Sequence, residues 1–131
     1  MNHNEFVKSY CEIAKRALIL AKKAMKNGLL SLEYEIDNEK ADERDILEYG
    51  LRFVIIGTDW EWIDKLLSNI IQQEKDEYLR MLKNIQKKAV LSMYEGWNPR
   101  IMYTHLNSLT DISLKDDEVR KFLENMGEVI I

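Results

Sequence analysis

The stretch Tyr94-Glu-Gly-Trp-Asn-Pro-Arg100 contains the single proline of this 131-residue chain, close to a glycine, a tryptophan and an arginine. Gly96 suits the positive φ at which many helices end. Asn98 is a good N-cap, and Pro99 fits the first position of a new helix, where a backbone N–H would have no intrahelical partner. The stretch therefore predicts a helix–corner–helix, in which the second helix runs from Pro99 to about Leu109.

Two long runs of helical periodicity precede this corner. Residues 5–27 place apolar side chains at spacings of three and four over a broad face. From Thr58 to Tyr94 the pattern predicts one amphipathic helix, opened by a capping box of Thr58 and Glu61. Its apolar seam thins at residues 72–77, which indicates either a bend or a segment without neighbours.

Shorter helices are predicted for the other segments. We expect a short helix rather than a strand over residues 29–36, then a polar connector. A helix over about 43–56, capped by Asp42, is apolar almost all round and is therefore expected to be central. A last helix is expected over about 113–126. With five glycines and one proline, the chain is predicted to be all-α, a single domain over residues 1–131 and a compact bundle of five or six helices, one or two of them long.

Composition narrows the class of protein. The net charge of −4 gives no support for binding nucleic acid. The single cysteine, Cys11, excludes an internal disulfide and fits a reducing compartment. Apolar runs such as residues 53–56 are far shorter than the roughly 20 residues that cross a membrane, and the N-terminus lacks the apolar region of a signal peptide. We therefore expect a cytoplasmic protein without membrane insertion.

The sequence shows no pattern of a catalytic or metal site. Its two histidines, His3 and His105, lack carboxylate or cysteine ligands at metal-binding spacing, and Cys11 lies in an apolar stripe of the first helix. Phosphate-loop, dinucleotide, zinc and nucleophile motifs do not occur. We expect no catalytic residue, no metal and no cofactor, and hence no enzyme. A deep apolar pocket with converging polar groups would favour an enzyme or small-ligand protein instead.

Charge is divided between neighbouring segments. Residues 1–32 carry six Lys or Arg against two Glu, a net +4, whereas residues 33–48 carry eight acids against two basic residues, a net −6. One interpretation is solvated helix faces with attraction between neighbouring segments of the chain. The other is a surface that steers a protein partner through opposite charges.

The three tryptophans suggest further contact positions. Trp60 and Trp62 point about 200° apart on a helix, so they cannot both face one core, and one of them is expected at a surface or interface. Trp97 either packs over the helix corner or is exposed for contact. Arg100 is expected to be a contact or a charge partner at the helix start.

Three stretches, in order, resemble a known family. They are Ala21-Lys-Lys-Ala-Met-Lys-Asn-Gly-Leu-Leu-Ser-Leu-Glu33, Gly50-Leu-Arg-Phe-Val-Ile-Ile-Gly-Thr-Asp59 and Val90-Leu-Ser-Met-Tyr-Glu-Gly-Trp-Asn-Pro-Arg100. Over roughly residues 15–105 the chain resembles the cytoplasmic parts of the flagellar stator A subunit, motility protein A. That family has transmembrane helices before the first stretch and between the second and third. The chain therefore resembles a stator A subunit from which the transmembrane helices have been removed.

The resemblance implies a protein of the bacterial flagellar apparatus that acts by protein contact, because a chain without membrane spans cannot line an ion path. In the family, an arginine and the glutamate that ends GLLxLE meet the rotor's switch protein. The glutamate corresponds to Glu33, whereas Met25 occupies the arginine position, beside Lys26. We expect partner contacts at Lys22, Lys23, Lys26, Glu33, Glu35, Trp60, Trp62 and Arg100.

The expected partner is a protein at the inner face of the flagellar motor: the rotor switch protein, a stator subunit or an accessory component. A homo-oligomer is also expected to be possible, because the broad apolar helix faces are large for one domain. The alternative is a general helical adaptor unrelated to motility, which would use the surfaces of Trp60 and Trp62 and the acidic segment.

Overall fold

The protein is built from helices packed around one of them. The computed structural model describes residues 1–36, 45–110 and residue 121, and these residues form six helices and no strand. The helices are α1 (His3–Asn27), a 3₁₀ helix (Leu29–Tyr34), α2 (Ile46–Ile55), α3 (Trp60–Ile71), α4 (Glu77–Tyr94) and α5 (Pro99–Ser108). The predicted all-α bundle is confirmed. The connector at 37–44 and, except for residue 121, the predicted helix over 113–126 lie outside the described residues.

Helix α1 begins and ends where its sequence provides caps. The side chain of Asn2 accepts a hydrogen bond of 2.8 Å from the backbone N–H of Glu5, and Gly28 ends the helix with a φ of 89°. The broad apolar face predicted for this helix is buried. The fully buried ones are Phe6, Tyr10, Ala14, Ala17, Leu18 and Leu20. The short helix that was preferred over a strand after Gly28 is the 3₁₀ helix.

Helix α2 starts later than expected. Asp45, not Asp42, caps it by accepting a hydrogen bond of 3.1 Å from the N–H of Glu48. The next residue, Ile46, is fully buried. Asp45 is therefore the last polar residue before the core, and it takes the N-cap position. The helix is not buried on every side, because Arg52 is exposed and Phe53 and Ile55 are only partly buried.

The predicted capping box of Thr58 and Glu61 is wrong. The N–H of Thr58 donates to the carbonyl of Phe53 at 3.0 Å, and the N–H of Gly57 donates to Val54 at 3.1 Å. Together with the positive φ of Gly57, these bonds form the Schellman motif that ends α2. Thr58 therefore belongs to the end of one helix, and α3 begins two residues later.

The single long helix predicted from Thr58 to Tyr94 is also wrong, and its alternative of a bend is right. Helix α3 ends at Ile71, and Asp76 caps α4 by accepting a hydrogen bond of 3.1 Å from the N–H of Leu79. The chain folds back, and Nζ of Lys87 on α4 lies 2.9 Å from Oδ1 of Asp64 on α3. The apolar seam thins at residues 72–77 because the turn lies there, and a turn at the surface has no apolar face to bury.

Helix α4 lies at the centre of the bundle. It packs against α1, α2, α3 and α5, whereas α2 packs against α3, α4 and the 3₁₀ helix. Gly50 permits the close approach of α2, because a Cβ there would lie 2.8 Å from Cγ2 of Val90 on α4. The C-terminal end of α1 lies beside the corner between α4 and α5, because residues of both line one cleft.

Candidate functional site

The charged segments identified in the sequence meet each other within the fold. Nζ of Lys23 donates to Oε1 of Glu35, which links the end of α1 to the residue after the 3₁₀ helix. Arg16 donates to the backbone carbonyl of Glu35 at 2.9 Å and to Oε1 of Glu48 at 3.0 Å. The hydrogen bond from Lys23 lowers the pKa of Glu35. For Lys23 and Glu35 the structure thus shows an attraction between neighbouring segments of the chain.

Other charged residues of this region are exposed at the surface. Lys22 and Lys26 are exposed on the last two turns of α1, one turn apart and therefore on the same face. Glu33 is exposed on the 3₁₀ helix, and it forms no ion pair with another described residue. Exposed apolar side chains accompany them, with Leu30 68% and Tyr34 87% exposed. This arrangement offers both charge and apolar area to a partner.

The corner at residues 94–100 has the predicted architecture. Gly96 has a φ of 76°, and the N–H of Trp97 donates to the carbonyl of Ser92 at 3.0 Å, which closes a Schellman motif at the end of α4. The side chain of Asn98 accepts a hydrogen bond of 2.8 Å from the N–H of Arg100, and Pro99 occupies the first turn of α5. The side chain of Arg100 is exposed there.

Trp97 fastens this corner and is half-buried. Its Nε1–H donates to Oε2 of Glu95 at 2.9 Å, and its ring meets that of His105 edge-on with 5.4 Å between the centroids. Of the two alternatives for Trp97, packing over the junction describes it better than full exposure.

A cleft of about 150 Å³ joins this corner to the end of α1. One wall is α1 and the first residue of the 3₁₀ helix, and the other is the end of α4 with Trp97. The lining residues are Ala21, Ala24, Met25, Leu29, Met93, Tyr94, Glu95, Gly96 and Trp97. Residues from the first and the third stretch that resemble the stator A family thus share one concave surface.

Both tryptophans of α3 are at the surface. Trp60 is 45% and Trp62 is 64% exposed. Trp62 points away from the buried Ile63 and Leu67, and Nζ of Lys65 lies 5.5 Å from its ring centroid. The two rings point to different sides of α3, so the structure does not bring them together into one apolar patch.

The side chains of Cys11 and His3 pack against other residues of the fold. Cys11 is half-buried beside the core of α1, and His3 packs near Phe6 and Tyr78. Burial raises the pKa of Tyr10, and burial raises that of Tyr103 to about 12. Residues 1–36, 45–110 and 121 contain no group of His, Cys, Asp or Glu that could hold a metal ion. Among those residues, none of the helices has the length and apolar character needed to traverse a bilayer.

The sequence predicts a role for Trp97 but not the cleft beside it. For Met25 it indicates only the family's arginine position, and for Leu29 and Tyr94 it indicates no functional role. The helix-ending glycines, Gly28 and Gly96, were the available signal, because a helix end next to another helix end leaves room for a cleft. Which two ends meet depends on how α1 packs on α4, and periodicity does not give that pairing.

A comparison with known proteins agrees with the resemblance found in the three stretches. Over 91 residues the chain is 33% identical to Motility protein A of Treponema phagedenis. The match covers 70% of this chain but 34% of that protein, so the chain spans about a third of the length of the curated relative that it matches. No family model matches the chain, and no solved structure matches it significantly. The chain is thus similar to a motility protein over most of its own length.

Proposed function

We propose that this protein acts in the bacterial flagellar motor by contacting another motor protein. The observation that carries the proposal is the 33% identity to Motility protein A over 91 residues. The proposed place is the cytoplasmic inner face of the motor, and the proposed partner is the rotor switch protein, a stator subunit or an accessory component. The proposed mechanism is protein contact and not ion conduction.

The charged surface at the end of α1 and on the 3₁₀ helix supports this mechanism. Glu33 corresponds to a glutamate that contacts the rotor in the stator A family, and here its side chain is exposed. Lys26 is exposed next to Met25, which stands in the position of the family's arginine. A lysine supplies the charge of an arginine but not its two-pronged hydrogen bonding, so we propose steering and register as its roles.

Lys23 and Glu35 are paired with each other, so we propose that they support the contact surface and do not bind the partner directly. Their ion pair holds the end of the 3₁₀ helix against α1. It thereby fixes the position of Glu33, which lies two residues before Glu35. The proposed contact surface consists of Lys22, Lys26 and Glu33, with Lys23 and Glu35 supporting it.

The test is a pull-down from motile cells that express the tagged protein, together with a motility assay of the deletion strain. We expect motor proteins to be captured and motility to change. Exposed ion pairs contribute only about 0.2–1 kcal/mol each, so Glu33→Lys is combined with Lys22→Glu and Lys26→Glu. Glu61→Lys, an exposed reversal on α3, is the matched control. Absence of motor proteins from the pull-down and intact motility of the deletion strain would contradict the proposal.

A general adaptor outside motility is the second candidate, and the exposure of Trp62 favours it. Tryptophan is enriched at the centre of protein interfaces, and this one is 64% exposed on the outer face of α3. Trp62→Ala separates the two candidates, because it should abolish partner binding by an adaptor and leave the contact through Glu33 intact. Flagellar genes beside this gene would favour the first candidate.

A further inference from the structure

The cleft between the end of α1 and the corner of α4 and α5 has the size of a socket for one side chain. Its volume is about 150 Å³. Pockets for drug-sized ligands measure about 300–1,000 Å³, whereas an apolar cavity of about 150 Å³ accepts a benzene ring. A single large apolar side chain therefore fits the cleft, whereas a drug-sized ligand exceeds it.

The buried side chains of the cleft suit an apolar guest. Ala21 and Met93 are 3% exposed and form buried parts of the lining, while Met25 is 60% exposed at the edge. Methionine is unbranched and polarizable, so it adapts to side chains of different shape. The carboxylate among the lining residues, Glu95, accepts a hydrogen bond from the indole of Trp97 and is thereby held at the corner.

The face of α1 beside the cleft carries positively charged side chains. Lys22 and Lys26 flank Met25 on the exposed face of the last two turns of α1. No acidic residue occurs between Ile13 and Leu32 in the sequence. An approaching segment therefore meets positive charge next to an apolar socket.

We propose that the cleft binds an amphipathic helix of the protein partner, with one large apolar side chain in the cleft and carboxylates facing Lys22 and Lys26. This inference rests on the proposed function and defines the chemistry of the partner segment. The apolar side chain supplies affinity because it leaves water on entering the cleft. The carboxylates set the orientation of the helix, and their attraction to the lysines weakens as the salt concentration rises.

The first experiment uses synthetic helical peptides of about five turns as probes. One peptide carries a central Phe between Glu residues, a second has Ala in place of Phe, and a third has Lys in place of Glu. Binding is followed through the methyl signals of Met25 and Met93 and the indole signal of Trp97 by NMR. We expect the acidic Phe peptide to bind at least about tenfold more tightly than either of the others and to shift these signals.

Two variants of the protein test whether the peptide enters the cleft. Ala24→Leu fills it, and Met25→Ser removes its exposed apolar edge with little risk to the fold, because Met25 is largely exposed. Ile56→Ser is the matched control, since Ile56 is 67% exposed and does not line the cleft. Loss of binding in Met25→Ser and in folded Ala24→Leu, with binding retained in the control, supports the proposal.

The proposal is overturned if the three peptides bind alike, if the signals that shift lie away from the cleft, or if folded Ala24→Leu and Met25→Ser bind as the wild type does. The motor pull-down repeated with Met25→Ser separates this inference from the proposed function. Capture by the wild type and equally by the variant would contradict the cleft alone. Failure of the wild type to capture motor proteins would contradict the proposed function.

Discussion

At the scale of single residues, the core of this protein is shaped as much by an absent side chain as by present ones. Gly50 lies in the middle of α2, a position at which glycine lowers helix stability by roughly 1 kcal/mol relative to alanine. A Cβ at Gly50 would lie 2.8 Å from Val90 and 3.0 Å from Leu67. Gly50 therefore lowers the intrinsic stability of α2 but allows α2 to pack closely on α4 and α3.

We predict that Gly50→Ala lowers the free energy of unfolding by about 1–2 kcal/mol, because the overpacking cost of roughly 1–3 kcal/mol exceeds the gain in helix propensity. Val90→Ala should be destabilising alone, but the double variant should lose at least about 1 kcal/mol less than the sum of the two. Urea denaturation of the four proteins measures this coupling. Additive losses would show that the two positions do not compete for space.

A second residue-scale prediction concerns the buried tyrosines of α1 and α5. Burial raises the pKa of Tyr103 from 10.0 to about 12, so the folded state favours its protonated form. The stability that this gives is complete below pH 10 and is lost as pH rises from about 10 to about 12. The oxygen of Tyr10 lies 3.3 Å from Oδ1 of Asn107, and its pKa is raised by burial as well.

We therefore predict that Tyr103→Phe flattens the alkaline loss of stability, since the variant has one fewer buried proton to release. Unfolding free energies from urea titrations across this alkaline range give the slopes for both proteins. Lysine ionisation is common to both proteins and cancels in the comparison. Equal slopes would mean that Tyr103 ionises as easily in the folded chain as in the unfolded one.

At the scale of helices, the ends decide the architecture more than the interiors do. Helices α2 and α4 both end in Schellman motifs, at Gly57 and Gly96, and each motif directs the chain into the next helix. The turn between α3 and α4 has no glycine, and there Asp76 provides the cap. The periodic pattern therefore showed where apolar faces run, but a polar turn without glycine or proline was hard to distinguish from a continuous helix.

We predict that Asn98→Ala destabilises the protein by about 1 kcal/mol, within a range of roughly 0.5–2, because it removes the side chain that caps α5. Asn69→Ala, an exposed position inside α3, is the control and should change stability by less than about 0.5 kcal/mol. Chemical denaturation of both variants provides the comparison. Similar effects at the two positions would show that the cap contributes nothing specific.

At the scale of the whole molecule, α4 connects every other α-helix to one core. Its contacts with α1, α2, α3 and α5 leave no described helix that could melt without exposing part of the same apolar cluster. The single-domain prediction for residues 1–131 is therefore open to a direct measurement.

We predict one cooperative unfolding transition. Far-UV circular dichroism reports all helices, whereas tryptophan fluorescence reports α3 through Trp60 and Trp62 and the corner through Trp97. The two thermal transitions should coincide, because helices that share one core unfold together. A fluorescence midpoint clearly below the midpoint of the dichroism signal would indicate that α3 or the corner forms a separate unit.

The sequence by itself determined the helical class, the broad apolar face of α1 and the corner at Gly96, Asn98 and Pro99. These features are local, since spacing, caps and backbone preferences act within a few residues. The sequence also held the three stretches that resemble the stator A family.

Only the tertiary structure decided which charges are engaged and where a cleft forms. Lys23 reaches Glu35 across 12 residues, and Met25 comes to share a cleft with Trp97 across a far larger interval of sequence. Such meetings depend on how α1 packs against α4, which in turn depends on the shapes of many core side chains at once. Periodicity gives the face that a helix buries, but not the helix that covers it.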